Sequence, residues 1–241
     1  MDEVTLLRIF TEVGADMGYR YIEARFRRSR DLRLQWQVHG VRISFGVPDY
    51  LDILPEGAMK DLARAAFKHV RSKASFKVPA SVDTFLRSDT FRTLKQPVYI
   101  SRDGHLIDSP TYNGISIQEI YQELVDLDLI DPTMPAPRMV WSTNPVAPWG
   151  VSARFDVIRL PVWLSHNAIP LDARAYLLYR EMVRLDRDLD PDVDVEREMR
   201  THPDHMRLGP LCEGLLLTVR SATRDRRDLD KMIQVYADTH L

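Results

Sequence analysis

Ala175-Tyr176-Leu177-Leu178-Tyr179-Arg180-Glu181-Met182-Val183-Arg184-Leu185 is the stretch that decides how this chain is read. Ala175, Leu178, Met182 and Leu185 recur at the three-to-four spacing of one helix face, and Pro170-Leu171-Asp172 provides the entry to that helix. Arg180 and Arg184 are four residues apart and share a face, with Glu181 directly after the first of them. Burying a lone charge is costly, so a carboxylate on so apolar a helix has to be paired or solvated.

Upstream of this helix, Met139-Val140-Trp141 and Val157-Ile158-Arg159-Leu160 read as short strands flanking a Pro/Gly/Trp loop at 144–150. Residues 115–129 have helical spacing, which the prolines from Pro132 to Pro137 end. Nearer the amino terminus, Leu32, Leu34, Trp36 and Val38 alternate with polar residues, as do Val41, Ile43, Phe45 and Val47, with His39-Gly40 between them. That pattern predicts a β-hairpin, preceded by a third strand at 19–26. Leu6, Leu7, Phe10 and Val13 predict a first helix, and residues 57–70 another after Pro48 and Pro55. In the less patterned stretch 71–113, Val98-Tyr99-Ile100 reads as a strand and Ser101-Arg102-Asp103-Gly104 as a turn.

These elements make an α+β protein. No internal repeat stands out, and the weakest seam, near 105–113, divides the chain into 1–105, a β-hairpin and helix region, and 106–241, which ends in a helical extension. The alternating Asp186, Asp188, Asp190, Asp192 and Asp194 read as a solvated loop, since they lack the glycine and terminal glutamate of a calcium loop. Residues 220–227 read as a charged turn before a last amphipathic helix.

Forty-four per cent hydrophobic residues in 241 are enough for a substantial core, and a net charge of −2 gives no global field to attract nucleic acid or an anionic membrane. Any such binding must be local. The single cysteine, Cys212, rules out an internal disulfide and reads as a small buried thiol. The acidic start, Met1-Asp2-Glu3, is unlike a signal peptide, and no apolar run approaches the ~20 residues that cross a bilayer, so a cytoplasmic, membrane-free protein is expected. Phosphate-loop and Gly-x-Ser-x-Gly patterns are missing, which speaks against nucleotide and serine hydrolases.

From residue 98 to 208 the order of elements resembles the minimal zincin domain of SprT-like and YgjP-like metallopeptidases. The resemblance rests on Trp141-Ser142, Gly150, Val157-Ile158-Arg159-Leu160, Leu164, Pro170, the helix Leu177 to Arg184, and His202-Pro203-Asp204-His205-Met206; the helix near 117–125 matches the family's entry helix, and the earlier hairpin and helix give a weaker echo. The resemblance implies a zincin-like fold, with zinc held by two helical histidines and a third histidine downstream, and a glutamate acting on the metal-bound water. This chain has Arg180 and Arg184 at the helical ligand positions, Glu181 in place of that glutamate as a vestigial general base, and His202 at the third ligand position. Guanidinium has no lone pair to give a metal, so that zinc site cannot form and no cofactor is expected.

Several readings stand at this point. Arg180, Glu181 and Arg184, joined by His202, form an ionic cluster where the metal sat, or the arginines lie solvated on a surface. The same cluster offers an anion such as phosphate two guanidinium forks. A relocated zinc site would draw on His202 and His205, with Cys212, Asp204 or Glu213. The leading expectation is an inactive zincin-like protein kept for binding or assembly with a protein partner not specified by the sequence; its rival is a metallopeptidase with a non-standard site. A third reading uses residues 20–42, where Arg25, Arg27, Arg28 and Arg30 lie among other arginines and aromatics, the composition of a nucleic-acid surface; against it, strand alternation turns Arg33 away from Leu34 and Trp36 without requiring the arginines to converge.

Overall fold

The computed structural model describes residues 1–72, 75–144 and 150–241, and the chain divides into two units, Met1–Arg102 and Asp103–Leu241. The protein is α+β. Its first unit opens on α1 (Glu3–Asp16), whose N-cap, Asp2, accepts a hydrogen bond from Thr5 N at 2.8 Å. Three strands follow: β1 (Tyr21–Arg27), β2 (Gln35–His39) and β3 (Arg42–Pro48). β3 is central, parallel to β1 and antiparallel to β2. The expected hairpin closes through Gly40-Val41, with Gly40 at φ +58, the Gly-first chemistry of a two-residue loop.

Alternation then sorts the side chains. Ile43, Phe45 and Val47 point into the core, where Phe45 meets Phe10 of α1 at 5.0 Å and Phe67 at 4.9 Å between ring centroids. Phe67 belongs to α2 (Glu56–Ser72). Gly14 makes this packing possible: a Cβ there would lie 2.3 Å from Ile22 Cδ1 and 2.6 Å from Phe67 Cζ.

Two helices complete the unit, α3 (Ala80–Leu86) and α4 (Asp89–Arg102). The strand expected at 98–100 is instead the end of α4, despite Pro97 inside it. Phe91, Lys95 and Tyr99 recur every four residues and bury one helical face, and that tertiary packing outweighs the β-propensity of Val-Tyr-Ile. Ser101 and Arg102 stay helical, and the turn falls at Gly104-His105. Lys95 Nζ reaches Asp52 at 2.5 Å, and Arg102 grips both oxygens of Asp49 at 2.6 Å, fastening α4 to the turn that follows β3.

The second unit begins with β4 (Leu106–Ile107) and a small hairpin of β5 (Thr111–Tyr112) and β6 (Ile115–Ser116). Asn113-Gly114 joins that hairpin with positive φ at both residues. The helix expected from 115 starts two residues later as α5 (Ile117–Asp126), with Ser116 accepting from Glu119 N. β7 (Arg138–Ser142), β8 (Gly150–Ser152) and β9 (Val157–Pro161) form a sheet with β4 in the order β4-β7-β9-β8, β7 and β9 being parallel. Within the loop expected at 144–150, residues 145–149 lie outside the described residues. α6 (Leu171–Leu189) then carries the apolar face that sequence placed at 175–185.

The chain ends in α7 (Val195–Met199), α8 (His205–Arg224) and α9 (Leu229–His240). The acidic run is therefore not one loop: Asp186 and Asp188 lie in α6, Asp190 caps its end, and Asp194 caps α7. Much of the segment read as a charged turn at 220–227 belongs to α8. Its Gly214 serves a crossing, since a Cβ there would lie 2.2 Å from Tyr236 Oη of α9.

The two units repeat one arrangement, contrary to the sequence expectation of no repeat. The runs α1 to α2 and α5 to α6 each go helix, three strands, short 3-10 turn, helix, with the third strand between the other two, parallel to the first and antiparallel to the second; β7, unlike β1, also pairs on its other side, with β4. Buried positions correspond along both runs: Leu6, Ile9, Phe10 and Val13 with Ile117, Ile120, Tyr121 and Leu124; Phe45 and Val47 with Ile158 and Leu160; Ala58, Leu62 and Ala63 with Ala173, Leu177 and Leu178. Pro48-Asp49-Tyr50-Leu51 and Pro161-Val162-Trp163-Leu164 mark the same corner.

Candidate functional site

Anchored on Pro55 and Pro170, the repeat sets Glu181 opposite Ala66, which is 1% exposed. Glu181 thus occupies a core position of the helix and is itself 2% exposed. Burial raises its pKa above the usual carboxylate range, while Arg184, Arg180 and, from β9, Arg159 pull the other way. Arg184 Nη1 donates to Glu181 Oε1 at 2.7 Å, one helical turn along. Arg184 itself is partly solvated, so the pair sits at the edge of the core.

Arg180 turns elsewhere. Its Nη1 lies 3.0 Å from Glu213 Oε1 of α8, and its side chain is largely buried. Burial first, then Arg184, lowers its pKa, although a guanidinium remains charged. Glu213 had no local signal in the sequence as the partner of Arg180, because the two meet only through helix packing.

His202 is 2% exposed and lies against the rings of Tyr176 and Tyr179, with centroids at 5.0 and 5.8 Å. Its Nδ1 accepts from Asp204 N at 3.2 Å, which places the proton of the neutral ring on Nε2, a buried atom with no hydrogen-bond partner among the described residues. Burial lowers its pKa. His205 Nδ1 is 2.9 Å from Tyr176 Oη, and burial pushes that phenol up to about 12.

The structure therefore brings Arg184 to Glu181 and Arg180 to Glu213. Among the described residues, no hydrogen bond or ion pair joins His202 to any of Arg180, Glu181 or Arg184. Each guanidinium already faces a carboxylate, so the positive charge that an anion would seek there is met. Among the described residues no group of three or more His, Cys, Asp or Glu is placed to hold a metal ion. Cys212 is buried, its thiol pushed up to about 12 by burial, with Sγ directed at Ala173 O. No helix among the described residues is long and apolar enough to cross a membrane.

The basic candidates fall on another surface. Arg25 and Arg27 project from β1, while Arg28 and Arg30 lie in the following loop, all exposed. Arg27, Arg28 and Arg33 do converge, around a recess of about 60 Å³ next to Gln35 and Gly46. Compared with protein-family models, curated proteins and solved structures, the chain matches none.

Proposed function

We propose that this is a zincin-like protein of the SprT/YgjP kind whose metal centre has given way to arginine–carboxylate pairs, and that it works by binding or assembly, not hydrolysis. The observation that carries this reading is the state of Glu181. In a metallopeptidase that carboxylate must reach a metal-bound water; here it is 2% exposed and held by Arg184. Losing a zinc ion from beside a buried carboxylate leaves an uncompensated charge, and an arginine on the next turn offsets it. The run of α5, the strands and α6, with its glutamate on the last helix, supports the ancestry. The retained chain would then present its surfaces to a protein or anionic partner in the cytoplasm.

Metal analysis of the purified chain, alongside a casein or peptide hydrolysis assay, tests the proposal. Zinc well below one ion per chain and no hydrolysis are expected. One zinc per chain, with hydrolysis abolished by Glu181→Gln, overturns it.

A further inference from the structure

Cross-strand register divides the first sheet cleanly. Ala24, Phe45 and Trp36 share one row, as do Ile22, Ile43 and Val38, and these rows face α1 and α2 or the sheet's rim. The alternate rows are Arg25-Gly46-Gln35, Glu23-Ser44-Gln37 and Tyr21-Arg42-His39. They make an open face with three arginine-bearing positions, counting Arg27 at the end of β1, and one carboxylate.

Among the described residues, Arg25, Arg27, Arg28, Arg30 and Arg33 have no carboxylate within ion-pair distance, and Arg42 approaches Glu23 only at 3.7 Å. Arg27 is nevertheless held in place. Its stem lies across Gly46, where a Cβ would come within 2.3 Å of Arg27 Cδ, and Gln35 Oε1 accepts from its Nη1 at 2.8 Å. A neutral amide orients this guanidinium and leaves its charge unspoken for. A groove of about 820 Å³ takes its lining from both sides of the sheet, Arg25, Arg27, Gln37 and Arg42 from the open face and Leu34, Trp36 and Phe45 from the other, and shares Arg27, Gln35 and Gly46 with the recess of Arg27, Arg28 and Arg33.

An aromatic ring stands among these charges: Tyr21 is 58% exposed on the open face, whereas Trp36, 39% exposed, lies in the opposite rows with its ring edge-on to His69 of α2 at 4.7 Å. Arginines for phosphates, flat rings for bases and amides for base edges are what a strand with unstacked bases requires, whereas a duplex hides its base faces. We propose that the open face of the β1-β3-β2 sheet binds single-stranded nucleic acid, with Arg25, Arg27, Arg33 and Arg42 on phosphates and Tyr21 stacked on a base. This rests on the first unit alone, so zinc found at α6 would leave it standing.

Fluorescence anisotropy on the full chain, with labelled oligo-dT and oligo-U, a duplex of equal length, heparin and poly-glutamate, tests it. Either single strand is expected to bind, and the two oligomers distinguish DNA from RNA as its source. Affinity should fall with salt at a log–log slope of about −2 to −3 for three to four neutralised phosphates. Arg25→Glu with Arg27→Glu should weaken binding tenfold or more and flatten that slope. Tyr21→Ala should weaken it severalfold with the slope unchanged. Arg224→Glu with Arg227→Glu, equal in charge, should leave it intact, and circular dichroism checks that every variant is folded. Three results each overturn the proposal: no binding at low salt, equal loss in the Arg224/Arg227 variant, or tighter binding of duplex, heparin or poly-glutamate.

Discussion

The run from α1 to α2 and the run from α5 to α6 share element order, strand pairing and buried positions, yet they place arginine in opposite circumstances. On the first sheet, arginines leave the solvent-facing side of strands, where no desolvation obliges them to find a carboxylate. On α6 they sit next to a helix position that both runs bury. Arg184 and Arg180 are paired there, with Glu181 and Glu213. Position in the module decides whether a guanidinium's charge is available to a partner or consumed internally.

The sharpest test of the shared skeleton is at its core. Ile9 and Ile120 are both fully buried at corresponding places, and Ile9→Ala and Ile120→Ala should each destabilise the protein by ~2–5 kcal/mol in urea unfolding. A near-zero cost at one of them breaks the equivalence. Next in size is the charge at the core's edge. Arg184→Ala strands a buried carboxylate and should cost about 1–3 kcal/mol, and adding Glu181→Gln should recover most of it. If the second change gives no rescue, the pair does not compensate Glu181.

The smallest expected effect is on pH dependence, where two buried groups act in opposite senses. His202 has a lowered folded pKa, so the unfolded chain takes up its proton first and stability declines as pH falls through about 6.5 and below. Glu181 has a raised folded pKa; its stabilising contribution is complete below the unfolded value of about 4.3 and is lost as pH rises through its folded pKa. Thermal melts from pH 4 to 8 should show the acid-side decline reduced in His202→Gln, and the opposing contribution removed in Glu181→Gln. Unchanged profiles in both variants would show that neither group titrates differently on folding.

Periodic segments were readable from sequence because burial is written into spacing: α1, α2, β3, β7, β9 and α6 all fall where their apolar residues recur, while β2, exposed throughout, was readable from its alternation and the turn at Gly40. The misses have physical reasons. At 98–100, β-branched and aromatic residues sat on a helix whose stripe begins at Phe91. Asn113-Gly114 carried a two-residue hairpin signal that helical spacing further on obscured. Gly214 lies inside α8, where Tyr236 crosses it, a role that no local pattern announced. At the candidate site, the Arg184–Glu181 pair was legible as neighbours on one helix. The Arg180–Glu213 pair needed tertiary structure, and His202 met two tyrosines that local spacing could not assign to it. The repeat itself left one readable mark, the Pro-x-aromatic-Leu corner after each central strand.

Repetition of the module also governs what happens while the chain is being made. All three strands of the first sheet lie within residues 21–48, and α5 does not begin until Ile117. At about 5–20 residues per second, the first set of strands has on the order of seconds to pair before its counterparts emerge. Tandem copies of one topology otherwise risk exchanging strands. Early pairing of the first sheet would leave the second set of strands to its own partners.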